Sequence, residues 1–413
     1  MESNVRQRKF DSHTDKARES PDDDAKQNTV ASQGWGAFGA AFILASVTCA
    51  VLILVILPSP IQPLPYSLPP RPTLTGALTP NNRLTEAEHL FEDNIEGPES
   101  LVFDGDHLYT GTMDGTILDI YKGQKRVLAR LGREPCGGYA NEPTCGRPLG
   151  MRLNKDGYLI VADAYLGLFQ VNVATGDVHQ IYSSQDPING QKPQFLNDLD
   201  VASDGTIYFS DSSTRWGRRE NRYCIMEAEE TGRVMSFNPT THEMSLLMEG
   251  LAFANGVQLS SDEEFLLVCE TTKARIWRYW LKGSKAGQKE VFMDNLPGLP
   301  DNIRRNRRGT FWVGFATVRR AEKFSMLDFT SDKPWLRSLI TKIVSQETIV
   351  RLVPKYGLLL EVDKAGQIVQ SLHDPTGTVV PSVSEVEEKD GVLYLGSYNL
   401  PFLSRLRLKK TGN

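Results

Sequence analysis

Phe195-Leu196-Asn197-Asp198-Leu199-Asp200-Val201-Ala202-Ser203-Asp204-Gly205-Thr206-Ile207-Tyr208-Phe209-Ser210-Asp211 decides the fold. A polar pair leads into a short alternating apolar run, an Asp-Gly turn follows, and a second β-rich run ends on an acid. Asp-Gly supplies the positive-φ positions of a tight hairpin, and Val, Ile, Tyr and Phe favour the pleated strands on either side. A single hairpin of this kind says little, but the chain repeats it. Pro98-Glu99-Ser100-Leu101 precedes Asp104-Gly105, Pro148-Leu149-Gly150-Met151 precedes Asp156-Gly157, and Ala254-Asn255-Gly256-Val257 precedes Ser261-Asp262. Pro300-Asp301-Asn302-Ile303 precedes Arg308-Gly309, and Ser384-Glu385-Val386 precedes Asp390-Gly391. The spacing is roughly the 40–50 residues that one four-stranded propeller blade needs. The chain is therefore read as all-β, a six-bladed β-propeller, because a sandwich gives no reason to repeat a polar strand entrance in every unit.

The fifth interval is longer. Pro334 near a first turn and Leu336, Leu339, Ile340, Ile343 and Val344 at helical spacing predict a helical insertion at 331–347, between blades 5 and 6. Such a stripe either packs on the domain or covers one propeller face, where it would touch lipid.

Of the 413 residues, 40% are apolar, and the formal net charge is −5, a balance that argues against a nucleic-acid partner. Residues 1–33 are polar and mixed in sign and are expected to be a disordered tail. Residues 34–57 carry no charge, long enough to span a bilayer of about 30 Å as a single transmembrane helix. Arg6, Arg8, Lys9, Lys16, Arg18 and Lys26 precede it, whereas Arg71 stands alone after it, so the tail is expected in the cytoplasm and the repeats in the lumen or outside the cell. This predicts a type II signal anchor in the plasma membrane or endoplasmic reticulum. Residues 58–96, with Pro58, Pro60, Pro63, Pro65, Pro69, Pro70 and Pro72, are read as a stiff stalk and linker, with a short helix at 85–92, and 97–413 as the propeller. Of five cysteines, Cys136 and Cys145 flank a turn-rich loop and are expected to form a local disulfide in an oxidising compartment; Cys224 and Cys269 read as buried thiols.

In a propeller the first strand of each blade lines the central channel, so its entrance residues converge on the axis. Here they read Glu99, Leu149, Asn197-Asp198, Asn255, Asp301-Asn302 and Glu385. Oxygen donors dominate and soft ligands are absent, which suits Ca²⁺, a cation that takes about six to eight oxygens. Glu99 and Asp301 would neutralise the ion, with Asn197, Asn255 and Asn302 completing its shell. The six histidines share no repeat position, His-Glu-X-X-His is absent, and so are a Gly-X-Ser-X-Gly elbow and a phosphate-binding glycine loop. His373-Asp374-Pro375 reads as a turn.

At Gly97-Pro98-Glu99, Leu196-Asn197-Asp198, Phe253-Ala254-Asn255-Gly256 and Asp301-Asn302-Ile303 the chain resembles the calcium-dependent six-bladed propellers of the paraoxonase and strictosidine synthase-like group. The resemblance covers nearly the whole chain, anchor and Pro-rich segment included. It implies arylesterase-type hydrolysis of a small-molecule ester or other hydrophobic ligand. Leu149 stands where paraoxonase has a histidine, and Ala164 lies near the place of its neighbour. Asp198 corresponds to a ligand of the paraoxonase second calcium, with Ser100 in place of the acidic partner. Glu385 aligns with the proton-removing glutamate of strictosidine synthase, while Val383 replaces a substrate-facing histidine. Glu385 is thus either a base toward water or a water-mediated, sixth calcium ligand. A calcium-dependent ester hydrolase, a non-catalytic binding or adhesion propeller with an extracellular protein partner, and a synthase-type condensing enzyme are the three functions in view.

Overall fold

The computed structural model describes residues 23–409, apart from the side chains of 23–37, 50 and 55. It divides into two units, residues 1–58 and 59–413. In the first, a helix runs from Asp23 to Ile56, so it begins within the expected tail and contains nearly all of the uncharged run; residues 1–22 lie outside the described part. Among the described residues no helix is long and apolar enough to cross a membrane.

The second unit is the six-bladed propeller, each blade a four-stranded antiparallel sheet in the order inner to outer. The inner strands are Leu101–Asp104, Pro148–Leu153, Leu196–Val201, Ala254–Leu259, Gly298–Arg305 and Glu385–Lys389, each opened by one of the repeated motifs. Apolar side chains fill the seams between neighbouring blades. Met151, Leu159 and Val161 meet Val102 and Tyr109 in one seam, and Ile303, Phe311 and Val313 meet Leu267 and Ile276 in another.

The ring is closed by the chain's start. Glu88–Leu90 is a strand that pairs with Leu403–Arg407 as the outermost strand of blade 6, with Leu90 opposite Leu403. This replaces the helix expected at 85–92 and moves the start of the propeller ahead of residue 97. Helical propensity was overridden by pairing with residues more than 300 positions away.

The Pro-rich segment is also not a free-standing stalk. Ile61, Leu74 and Leu84 are buried in the propeller unit, and Leu64 N donates to Glu227 O at 2.9 Å. Arg337 donates to the Leu64 carbonyl and Arg319 to the Pro69 carbonyl at 3.0 Å. Proline removes backbone donors but leaves carbonyls free, and buried arginines of the propeller take them.

The helical insertion lies between the fifth and sixth repeated strand entrances, inside blade 5, between its second and third strands. It leaves blade 5 after Phe311–Val318 and returns as Gly357–Val362, with helices at Met326–Thr330, Pro334–Ile343 and Gln346–Leu352. Its buried contacts are Arg337 and Thr341 rather than the apolar stripe, of which Leu336, Leu339 and Ile340 are half-buried and Ile343 exposed.

Candidate metal centre and its cleft

The polar entrances are positioned by β-bulges. In blade 3 Leu196 faces Asp211 and Leu199 faces Phe209, so three steps on the inner strand match two on its partner. The same slip separates Ala254 from Val257 and Pro300 from Ile303. The extra residue leaves the ladder at Asn197-Asp198, Asn255-Gly256 and Asp301-Asn302 and re-aims their side chains toward the axis. Gly256 makes the approach of two entrances possible. A Cβ there would stand 2.6 Å from the Asp301 carbonyl oxygen and 2.7 Å from Asn302 Cα.

Glu99, Asn197, Asn255 and Asp301 line one cavity of about 50 Å³, with Leu149, Phe195 and Phe253 as apolar wall. Asn302 is buried alongside and donates from Nδ2 to Glu385 Oε2 at 3.0 Å. The surrounding hydrogen bonds dictate how the three amides point. Ser212 Oγ donates its proton to Ala254 O, so it accepts from Asn197 Nδ2 at 2.9 Å. Thr271 Oγ1 likewise donates to Pro300 O and accepts from Asn255 Nδ2 at 3.0 Å. Asn255 Nδ2 also reaches Asp301 Oδ1 at 2.8 Å. Every amide nitrogen is therefore committed to the protein, and the Oδ1 atoms of Asn197, Asn255 and Asn302 are left buried with no hydrogen-bond partner. Two such acceptors in the wall of one cavity, with a third on the residue next to Asp301, are costly unless a cation takes them.

The two acids add to this. Burial raises the pKa of Glu99 and of Asp301, and Glu99 raises that of Asp301 further. Arg147 partly offsets Glu99, reaching Oε2 at 3.3 Å while also donating to the Gly97 carbonyl at 2.8 Å. The donor set is hard and oxygen-only, and it fits Ca²⁺. Among the described residues no group of three or more His, Cys, Asp or Glu side chains is placed to hold a metal, so the amides are indispensable to any such centre.

Glu385 does not line this cavity. It is sealed behind Asn302, and its Oε2 accepts from Arg304 Nη2 at 2.5 Å. Burial pushes its pKa up to about 8, with Arg304 pulling it back. Asp198 lies on the same inner layer, gripped by both Arg304 terminal nitrogens at 2.7 and 2.9 Å. A guanidinium thus occupies the cationic position between Asp198 and Glu385, and Ser100 Oγ accepts from Met151 N at 3.0 Å.

Sequence reasoning missed Arg147 and Arg304. Arg304 is two residues from Asn302 on the same inner strand, so the period of two already placed both on one face. It also missed Arg218, Arg219 and Arg222, which follow the second strand of blade 3; Arg218 and Arg222 line the axial cavity, and all three line the larger one beside it. The disulfide between Cys136 and Cys145 is formed. Its loop carries Glu142, which accepts from Arg218 at 3.0 Å and from the Tyr165 hydroxyl at 2.8 Å. Cys224 and Cys269 are buried free thiols. His373 sits inside the outer strand of blade 5, bonded to Tyr356 and Ser371, away from the axis.

The strictosidine synthase family pattern matches residues 197–284, and the strictosidine synthase-like N-terminal pattern matches 76–120. The chain is 48% identical to the adipocyte plasma membrane-associated protein of Gallus gallus, across 95% of both chains. The protein of the same name from Homo sapiens is 46% identical, across 90% of both. A strictosidine synthase-like protein of Arabidopsis thaliana is 38% identical over 74% of this chain and 84% of its own. Among solved structures, a gluconolactonase from Xanthomonas campestris superposes with a TM-score of 0.53 at 17% identity, covering 86% of this chain and 99% of that one. A calcium-binding protein, regucalcin, from Agrobacterium tumefaciens gives 0.52 at 13%, covering 79% and 95%. These two share the fold. The repeated blades, the axial entrances and the near full-length identity together assign the chain to the adipocyte plasma membrane-associated protein family, within the strictosidine synthase-like propellers.

Proposed function

We propose that this chain is a membrane-anchored propeller that binds calcium at its axis and hydrolyses carboxylic esters presented there. Glu99, Asn197, Asn255, Asp301 and Asn302 would hold the ion. The observation that carries the reading is that the Asn197 and Asn255 amide oxygens are left buried and unpaired in one cavity with Glu99 and Asp301, while the Asn302 oxygen, next to Asp301 in the chain, is likewise unpaired. A bound Ca²⁺ supplies Lewis-acid polarisation of an ester carbonyl and offsets charge on the oxyanion. Leu149, Phe195 and Phe253 keep water from the cavity wall, and Glu385 acts as a positioning residue that holds the Asn302 amide. Regucalcin's description as a calcium-binding protein agrees with this donor set.

The type II anchor belongs to the same proposal. Phe38, Phe42, Leu44, Val47 and Leu52 are exposed on the first helix, the basic residues precede its uncharged run, and relatives are named plasma membrane-associated. A propeller with a disulfide then lies in the oxidising compartment.

Hydrolysis of aryl acetates by the full chain, before and after chelation and again after calcium is restored, tests the reading. Activity that disappears and returns is expected; activity indifferent to the chelator, or absent from calcium-loaded protein, overturns it. The second reading, a binding platform merely stiffened by calcium, is favoured by the commitment of Glu385 to Arg304 and by an axial cavity without a histidine. It predicts a calcium-dependent melting temperature with no ester turnover.

A further inference from the structure

A larger cavity, about 470 Å³, adjoins the axial one and shares Arg218, Asn221, Arg222 and Tyr398 with it. Its size falls within the range of about 300–1,000 Å³ typical of small-molecule sites. The lining is cationic: Arg218, Arg219 and Arg222 face a single acid, the exposed Glu347. Glu142 pairs with Arg218, but Arg219 and Arg222 form no ion pair among the described residues, Arg222 acting on Asp301 only at longer range. Arg147, Arg233, Arg275, Arg304 and Arg319 all have one.

The two unmatched guanidiniums are nevertheless held in place. Arg222 donates to the Tyr398 hydroxyl and stacks on that ring at 5.4 Å. Arg219 donates to the Ala140 carbonyl at 3.3 Å and lies 6.0 Å over the Tyr139 ring. The Nε atom of each is buried and has no hydrogen-bond partner. Fixed, half-buried forks with spare donors are suited to two-oxygen anions, and partial burial strengthens them relative to bulk water.

We propose that this cavity captures an anionic oxo group, a carboxylate or a phosphate, and that the physiological ligand carries such a group beside the bond that enters the axial cavity. Anion capture does not depend on the chemistry at the axis. Its use in choosing an ester substrate rests on the hydrolase reading above. The disulfide loop and the Gln346–Leu352 helix both contribute to its wall, through Tyr139 and Val350.

Isothermal titration of the calcium-loaded full chain with benzoate, phenylphosphonate and neutral benzamide tests the proposal. Benzoate or phenylphosphonate, or both, should bind, weaken as salt is raised, and leave benzamide at least tenfold weaker. The stronger of the two identifies the natural anion as carboxylate or phosphate. Arg219 lines only the larger cavity, so Arg219→Gln should lower affinity for the anions at least fivefold, which separates this site from an anion held by calcium. Glu347→Gln changes an exposed side chain and should tighten anion binding. No anion binding, equal binding of benzamide, or anion affinity unmoved in both variants overturns the proposal. Anion binding with no ester hydrolysis would remove only the hydrolase reading.

Discussion

Arg304 grips Asp198 with two parallel hydrogen bonds, Nη1 to Oδ2 at 2.7 Å and Nη2 to Oδ1 at 2.9 Å, across the centre of the propeller. Its Nη2 also reaches Glu385. One buried cation therefore balances acids from blades 3 and 6. Arg304→Met leaves both carboxylates buried without it and should cost about 3–5 kcal/mol, the range for breaking a buried pair from one side. Urea denaturation of the purified chain measures this; a loss below 1 kcal/mol would show that the guanidinium does not bind the blades together.

Gly256→Ala tests the close approach of two ligand strands. The added Cβ meets Asp301 O and Asn302 Cα, both backbone atoms that no side-chain rotation can clear. The expected cost is about 1–3 kcal/mol, as for overpacking elsewhere, with calcium affinity at least tenfold weaker. Unchanged affinity in a folded variant would mean that these entrances do not act together.

The disulfide closes a short loop, its cysteines standing 9 positions apart in the sequence. Cys136→Ser with Cys145→Ser should cost about 2–3 kcal/mol by loop entropy. The loop also holds Arg218 through Glu142, so anion affinity should fall along with the melting temperature. Peptide mapping without reduction should recover the Cys136–Cys145 pair.

His373 predicts a pH dependence. Ser371 Oγ donates to Ala77 O at 2.6 Å, so it accepts from His373 Nε2–H at 2.8 Å, and Nδ1 accepts from the Tyr356 hydroxyl at 2.8 Å. The ring is neutral, and burial lowers its pKa from 6.5 to about 4. The unfolded chain takes the proton first, so this stability is present above pH 6.5 and is lost as pH falls toward 4. Between pH 7 and 5 the loss should be about 2 kcal/mol. Urea titrations of wild type and His373→Gln at both pH values should show a smaller pH effect in the variant.

The propeller was legible because its signals are local and repeated. Asp-Gly turns place Gly105, Gly157, Gly205 and Gly391 at positive φ, where glycine is favoured, and the polar pairs at the entrances of blades 3, 4 and 5 each mark a bulge. Glu88–Leu90 carried no such mark, since its partners lie at 403–405 and only the closed ring brings them together. The Pro-rich segment read as a stiff spacer because composition reports chain stiffness, not which surface accepts its carbonyls. The arginines were overlooked for a related reason. An arginine in sequence looks like a solvated charge, and only the fold reveals that Arg147 and Arg304 are sealed and that Arg219 and Arg222 form no ion pair among the described residues.

Calcium binding to the purified full chain, measured by isothermal titration after chelation and dialysis, tests the central claim most directly. Each chain should take up one ion at the axis, with a melting temperature that rises with calcium because the ion binds only the folded propeller. Asn255→Ala removes one neutral oxygen and should weaken binding about tenfold, whereas Asp301→Ala also removes a compensating charge and should weaken it at least a hundredfold. Absence of calcium binding to the wild type, or equal affinity in wild type and Asp301→Ala, would contradict the account.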